Sequence, residues 1–187
     1  MTTSLQQIAT LQTGLLARPE PIGEVPFLQL SHFKAGHFDP SSVESFIPSH
    51  QLTDRHTLQP ADVLLAARGT HPFASLAPAQ LRRAAASPSF IIIRPHSTQH
   101  TLPAYLELFL NLPATQALIK NLAKGSSLQA ISIQALASLP VPIPTIQKQQ
   151  QLVRVAQLAA RHHSTLQQLA SLHLQYHQQI IHKAIYA

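Results

Sequence analysis

The chain has 187 residues, a size that suits one domain with an appendage better than two complete domains. It contains no cysteine, which excludes disulfide bonds and thiolate metal sites. The formal net charge is +6 and all seven acidic residues precede residue 108, so the C-terminal part is basic throughout and suits a polyanionic partner such as nucleic acid.

The first 144 residues have the mixed pattern of a compact α+β domain. Short β-rich runs at residues 25–30, 63–67 and 90–94 alternate with turns that contain proline or glycine. Residues 102–125 predict two helical pieces, because Pro113 interrupts the pattern and Gly125 is a suitable C-terminal stop.

Prolines at positions 140, 142 and 144 predict an extended strap directly before the last segment of the chain. Each proline ring fixes φ and removes a backbone donor, so a helix cannot continue through this stretch. We expect the strap to fix the direction in which the following segment leaves the domain.

Residues 145–187 predict a single helix of about 40 residues, near 60 Å long at 1.5 Å per residue. Thr145 can cap it, and neither glycine nor proline follows Pro144. Apolar residues of this helix recur at spacings of three and four, and two histidines occupy the polar gaps in that series. We call the whole series the seam: Leu152, Val155, Ala159, His162, Leu166, Leu169, His173, Tyr176 and Ile180. A stripe of this length needs a partner helix, as in a coiled coil. The alternative is that the segment folds back as a hairpin.

Three stretches resemble the specificity subunits of type I restriction-modification systems. Residues 25–39 resemble the opening strand and glycine turn of that family, and residues 61–70 resemble its strand and turn "GD-apolar-apolar-x-x-R-G", with Ala61 in place of glycine. The run before the long helix is similar to "I-x-x-x-x-L-x-x-L-x-I-P-I-P" and a helix start that contains glutamine. The matching residues are Ile131, Leu136, Leu139, Val141, Pro142, Ile143, Pro144 and Gln150. Together the stretches span nearly the whole chain.

The resemblance implies a DNA target-recognition domain, residues 1–144, and a spacer and dimerisation helix, residues 145–187. A complete specificity subunit resembles two copies of this unit, with the helices antiparallel and each domain reading one half of an interrupted DNA site. The chain resembles a half-subunit, and a homodimer whose seams pair as an antiparallel coiled coil would rebuild the bipartite arrangement. Helix length would then set the spacing between half-sites.

Polar residues on predicted loops of the first domain are the candidate contacts to double-stranded DNA. Arginine can read guanine edges, while lysine and hydroxyl groups hold phosphates. The candidates are Ser31, His32, Lys34, Arg68, Thr70, Arg82 and Arg83. Two alternatives remain open: a salt bridge from Arg68 to Asp62 or Glu44 that braces the turn, and a solvated face for the Arg82–Arg83 pair.

The sequence predicts no catalytic site, metal or cofactor in this chain. The twelve histidines form no HExxH motif, and the His173–His177 pair lacks a nearby acid, so we interpret the seam histidines as polar residues that set helix register. The five glycines form no GxSxG, P-loop or GxGxxG motif, and the Asn-Pro-Pro-aromatic loop of amino-methyltransferases is missing. The resemblance places S-adenosylmethionine on a partner methyltransferase.

The sequence therefore predicts a non-catalytic DNA-recognition subunit that directs a methyltransferase, and with it a restriction or translocase subunit, to an interrupted site in phage defence. The first twenty residues lack a signal-peptide pattern and no apolar run reaches the roughly 20 residues of a membrane span, so we expect a soluble cytoplasmic protein. The alternatives are a stand-alone DNA-binding regulator or decoy of the same fold, and a coiled-coil adaptor that binds no DNA.

Overall fold

The computed structural model describes residues 2–69, 72–81, 83–123 and 130–186. The chain divides into two compact units, Met1–Gln149 and Gln150–Ala187. The strands are β1 (Thr2–Ser4), β2 (Ala9–Thr13), β3 (Val25–Leu28), β4 (Phe33–Lys34), β5 (His37–Phe38), β6 (Phe46–Ile47), β7 (Val63–Ala66), β8 (Ala74–Leu76), β9 (Ala85–Ala86), β10 (Phe90–Pro95) and β11 (Pro140–Pro142). The helices are α1 (Leu5–Ile8), α2 (Pro103–Asn111), α3 (Pro113–Ala123), α4 (Ile133–Ala137) and α5 (Ile146–Tyr186). The predicted α+β fold with one long C-terminal helix is confirmed.

A four-stranded antiparallel sheet in the order β2-β10-β7-β8 forms the centre of the first unit. Alternate residues of a strand point to opposite faces, and here both faces are covered. Leu65 and Ile91 join a first core cluster on one face, and Leu64 and Ile92 join a second core cluster on the other. Burial on both faces explains why the β7 and β10 sequences are continuous apolar runs rather than alternating ones.

The helices α1 to α4 contribute to the first core cluster, with Leu106 of α2, Ile119 of α3 and Leu136 of α4 buried there. The predicted break at Pro113 separates α2 from α3. Gly125, the predicted stop, lies outside the described residues.

Two side chains of α2 satisfy the backbone of the edge strand β8. The Oδ1 atom of Asn111 accepts from Ala74 N–H at 2.9 Å, and its Nδ2 atom donates to the Ala74 carbonyl at 2.7 Å. Glu107 Oε1 accepts from Leu76 N–H at 3.1 Å, and burial raises the pKa of this carboxyl. Helix α2 therefore covers polar groups that an open sheet edge would expose.

A smaller sheet in the order β6-β3-β9 holds a third core cluster that includes Val25, Phe27 and Ile47. The strand predicted at residues 25–30 is confirmed as β3. It pairs antiparallel with β6 and parallel with β9, so segments distant in sequence meet here.

The predicted extended strap is confirmed as β11, which pairs antiparallel with β1. Val141 of the strap is fully buried, whereas Pro140 and Pro142 face solvent. The Tyr105 hydroxyl of α2 donates to the Pro142 carbonyl at 2.7 Å. A two-stranded ribbon tolerates proline because an edge strand has unpaired backbone positions.

The first turn of α5 is anchored in the first unit by a buried glutamine. Thr145 Oγ1 accepts from Lys148 N–H at 3.4 Å, as expected of a capping residue. Gln149 is 0% exposed, and its Nε2 atom donates to the carbonyls of His100 and Pro144, each at 2.9 Å. Its Oε1 atom accepts from Leu102 N–H at 2.9 Å. The helix start is thus joined to the turn that precedes α2.

We expect the substitution Gln149→Ala to lower the free energy of unfolding by about 2–5 kcal/mol, because it leaves three backbone groups without their buried partner. The neighbouring Gln150 is exposed, and Gln150→Ala is the matched control with an expected change below about 0.5 kcal/mol. Urea unfolding of both variants measures the difference. Equal stabilities of the two variants would contradict this role of Gln149.

In the second unit the seam of α5 is open to solvent. All nine of its residues are exposed, and the exposed fraction of its large apolar members runs from 38% at Leu152 to 65% at Val155. The helix is continuous from Ile146 to Tyr186, so the alternative of a helical hairpin is wrong. No helix in the described part of the chain is long and apolar enough to cross a membrane.

Candidate nucleic-acid interface

A tight hairpin carries Lys34, one of the candidate DNA contacts. Strands β4 and β5 pair across Ala35 and Gly36, whose φ angles of 50° and 81° are both positive. Two left-handed residues form the type I′ turn that suits the twist of a two-residue hairpin. Lys34 lies opposite His37 in this hairpin.

A cluster of phenylalanines connects the hairpin to the sheet and to the loop after β7. The Phe33 ring lies 5.7 Å from Phe38, 5.4 Å from Phe73 and 5.3 Å from Phe90, measured between ring centroids. A Cβ atom added to Gly36 would lie 3.4 Å from the Cβ of Phe73. The hairpin therefore packs on the residues just before β8, in the same connection that begins with Arg68.

The other candidate loops join the same side of the sheet. Leu30, next to Ser31, and Leu81, two residues before Arg83, both pack against the second core cluster, as do Phe38 and Phe73. Helices α2 and α3 contribute instead to the first core cluster, on the opposite face. Tertiary structure thus brings four loops, which lie between residues 30 and 83, to one face of the central sheet, which we call the loop face.

Four of the seven candidate residues present exposed side chains on these loops: Ser31, Lys34, Arg68 and Arg83. Thr70 and Arg82 lie outside the described residues. His32 differs from the expectation, because it is 3% exposed and its Nδ1 atom accepts from Gln29 N–H at 3.1 Å. Burial lowers the pKa of His32, which favours a neutral ring that braces the turn instead of a surface contact.

The charge of Lys34 is partly neutralised by Asp39. Its Nζ atom lies 2.5 Å from Asp39 Oδ2, and Asp39 Oδ1 accepts from Ser41 N–H at 3.0 Å. Hydrogen bonds from Lys34 and Ser41 lower the pKa of Asp39 to about 2, so this carboxylate stays charged at neutral pH. The pair holds the hairpin and the following turn together.

Arg68 and Arg83 form no ion pair with another residue in the described part of the chain. The alternative that Arg68 braces its turn through Asp62 or Glu44 is wrong, because Asp62 pairs with Arg94 at 2.7 Å and no ion pair in the described ranges includes Glu44. Both guanidinium groups keep their planar set of donors for a ligand. That geometry suits a phosphate or the edge of a guanine.

Within the described ranges, no three histidine, aspartate or glutamate side chains lie close enough to hold a metal ion. Sequence reasoning missed the structural roles of Asn111 and Gln149, and named only the neighbouring Gln150. It also missed the hairpin and its phenylalanine cluster, because Ala-Gly is not one of the dipeptides that mark a two-residue hairpin.

We expect Arg68→Ala to weaken binding of mixed-sequence duplex DNA and to reduce the slope of log K against log salt by about one unit if the residue holds one phosphate. Lys120→Ala is a matched control, because it removes an exposed cation from α3, which belongs to the opposite side of the sheet. Titration at several salt concentrations measures both slopes. Equal effects of the two variants would argue against a DNA surface at the loop face.

The fold and the site define a class of protein: an α+β domain with exposed cationic residues on loops of one sheet face, continued by a long helix with an open apolar seam. In sequence, the chain is 29% identical over 161 residues to the specificity subunit of the type I restriction enzyme EcoKI from Escherichia coli K12, which covers 82% of this chain and 34% of that protein. No family model matches.

Solved structures share the fold. An HsdS subunit from Thermoanaerobacter tengcongensis superposes with a TM-score of 0.65 at 18% identity over 89% of this chain and 38% of that one. A type I restriction-modification S subunit from M. genitalium superposes with a TM-score of 0.57 at 15% identity, over 84% of this chain and 38% of that one. A chain from a structure that describes complex assembly and conformational transition of the type I restriction-modification system superposes with a TM-score of 0.62 at 15% identity. The match covers 89% of this chain and 39% of that one.

The resemblance predicted from the sequence is confirmed: the chain has the fold of a type I specificity subunit and is related in sequence to one. It spans between 34% and 39% of the length of the proteins it matches.

Proposed function

We propose that this chain is a sequence-specific DNA-recognition subunit of a type I restriction-modification system. The observation that carries the proposal is that Ser31, Lys34, Arg68 and Arg83 are exposed on loops whose neighbouring residues pack against the second core cluster, in a chain similar to a type I specificity subunit. A surface with free arginine side chains can hold phosphates and read bases. The chain supplies specificity, and a partner supplies the chemistry.

A homodimer would give the complete recognition unit. The described residues form one α+β unit followed by one long helix whose seam is exposed. Two copies joined through the seam of α5 would present two recognition domains to the two halves of an interrupted site. The long helix would act as the spacer between them.

The partners proposed for this unit are double-stranded DNA, a DNA methyltransferase subunit that binds S-adenosylmethionine, and a restriction or translocase subunit. The resulting complex would act on DNA in the cytoplasm and contribute to defence against phage. The dimer and each of these assemblies rest on the similarity to type I specificity subunits, together with the open seam of α5.

A map of methylated bases across the genome of the source cell, with this gene intact and deleted, tests the proposal. We expect one interrupted palindromic motif to lose its methylation, because identical domains read identical half-sites. Loss of an asymmetric motif would replace the homodimer by a mixed dimer. An unchanged map would overturn the methyltransferase role, and salt-dependent binding of duplex DNA by the purified chain would then separate a DNA-binding regulator from an adaptor.

A further inference from the structure

The spacing of the seam allows several antiparallel pairings of two α5 helices. Its residues alternate at intervals of three and four from Leu152 to Ile180. Such an alternation is symmetric about the middle of each interval, so spacing alone does not select one register. The chemistry of the facing residues must decide.

One register pairs the two histidine positions with each other. When the two-fold axis passes between Gln167 and Gln168, each residue faces the one equally far beyond the axis. His162 then faces His173 of the partner subunit, and Leu166 faces Leu169 of the partner subunit. Polar residues at seam positions set register in coiled coils, because a polar group that faces an apolar one loses its hydrogen-bond partner.

The neighbouring antiparallel registers mix the two kinds of layer. With the axis between His162 and Leu166, each of these residues faces the other, and His173 faces Val155. With the axis between Leu169 and His173, the histidines face Leu169 and Ile180. Each alternative therefore buries both imidazoles against aliphatic side chains.

Side-chain volume favours this antiparallel register over a parallel pair. In the register centred between Gln167 and Gln168, Ala159 faces Tyr176 of the partner subunit, so a small residue meets a large one in two symmetric layers. A parallel pair would place alanine against alanine and tyrosine against tyrosine. Helical cores pack best when large and small residues alternate across facing positions.

The extent of the seam fits a second copy as its occupant. It runs over 29 residues, about four heptads and 44 Å, which meets the three to four heptads that a coiled coil needs. The charged residues of α5 are Lys148, Arg154, Arg161 and Lys183, so no ion pair between two copies can select a register. Register must come from the seam itself.

We propose that a second copy of this chain pairs antiparallel along α5 about a two-fold axis between Gln167 and Gln168, with His162 facing His173 of the partner subunit in two symmetric layers. This inference rests on the homodimer of the proposed function and adds its register. The histidines act as positioning residues, since they select one register among several of similar apolar content.

Because the chain has no cysteine, introduced cysteines report the register directly. In the full-length chain, Ala159→Cys with Tyr176→Cys is expected to form a covalent dimer on mild oxidation, seen on a non-reducing gel, because facing positions bring the thiols within disulfide range. Each single variant should stay uncrosslinked. A parallel dimer would instead crosslink both single variants, and a shift of one register would crosslink Ala159→Cys with Leu169→Cys.

Sedimentation of the cysteine-free protein tests the homodimer separately from its register. A monomer would overturn both the proposed homodimer and the register. A dimer that crosslinks only at the parallel or shifted positions would overturn the register and leave the homodimer standing.

Replacement of both histidines tests their positioning role. In the background of each cysteine pair, His162→Leu with His173→Leu should retain a dimer of at least equal strength but should allow the shifted pair to crosslink as well. Crosslinking that stays confined to the original pair would show that the histidines do not select the register.

Discussion

Leu166→Glu combined with Leu169→Glu is expected to convert the proposed dimer to a monomer and to abolish the methylation that the proposed function assigns to the interrupted site. The double substitution places four carboxylates around the centre of the seam, where they have no cationic partner in the facing layer. Burying an unpaired charge costs several kcal/mol, so we expect the dissociation constant to rise at least about a thousand-fold, equivalent to about 4 kcal/mol. Sedimentation and a methylation map measure the two consequences.

The matched control is Gln167→Glu combined with Gln168→Glu. It adds the same charge to the same turn of α5, at positions outside the seam. We expect this control to keep the proposed dimer and the methylation of the interrupted site. If both double variants dissociate alike, charge on the helix and not occupancy of the seam would explain the effect.

Asp62→Ala is expected to lower the free energy of unfolding by about 3–5 kcal/mol, because it leaves the guanidinium of Arg94 without its counter-ion. Asp62 is fully buried, and its two carboxylate oxygens each accept from Arg94 at 2.7 Å, through Nε and Nη2. The same carboxylate accepts from Gln59 N–H at 2.8 Å, and Arg94 also donates to the Thr57 carbonyl at 3.0 Å. Since small domains have only about 5–15 kcal/mol of stability, we expect a measurable fraction of the variant to be unfolded at 37 °C.

Urea unfolding checks the Asp62 prediction, with Glu24→Ala as the control because that carboxylate is exposed and makes no ion pair in the described part of the chain. The double variant Asp62→Ala with Arg94→Ala should recover part of the loss, since it no longer leaves a partly buried cation unpaired. A single variant as stable as wild type would show that the pair contributes nothing to the fold.

Local patterns in the sequence were sufficient for the longer elements. The apolar runs at β7 and β10, the break at Pro113, the extended strap at residues 140–144 and the uninterrupted α5 all follow from backbone preferences and apolar periodicity, which act over a few residues. Motif order was also sufficient for the resemblance to type I specificity subunits, because that resemblance depends on the order and spacing of short stretches along the chain.

Tertiary structure alone decided which side chains act together. The sequence did not show that Gln149, and not Gln150, is the buried glutamine, because its partner Leu102 lies 47 residues away. It also did not show that Asp62 pairs with Arg94 instead of Arg68, because Asp62 and Arg94 are 32 residues apart. It likewise placed His32 at the surface, although the chain folds over it. The loop face exists only because β3, β7, β9 and β10 meet around one core, and such contacts are set by packing of the whole unit. The seam of α5 was predictable from the sequence because a helix repeats its own surface every few residues.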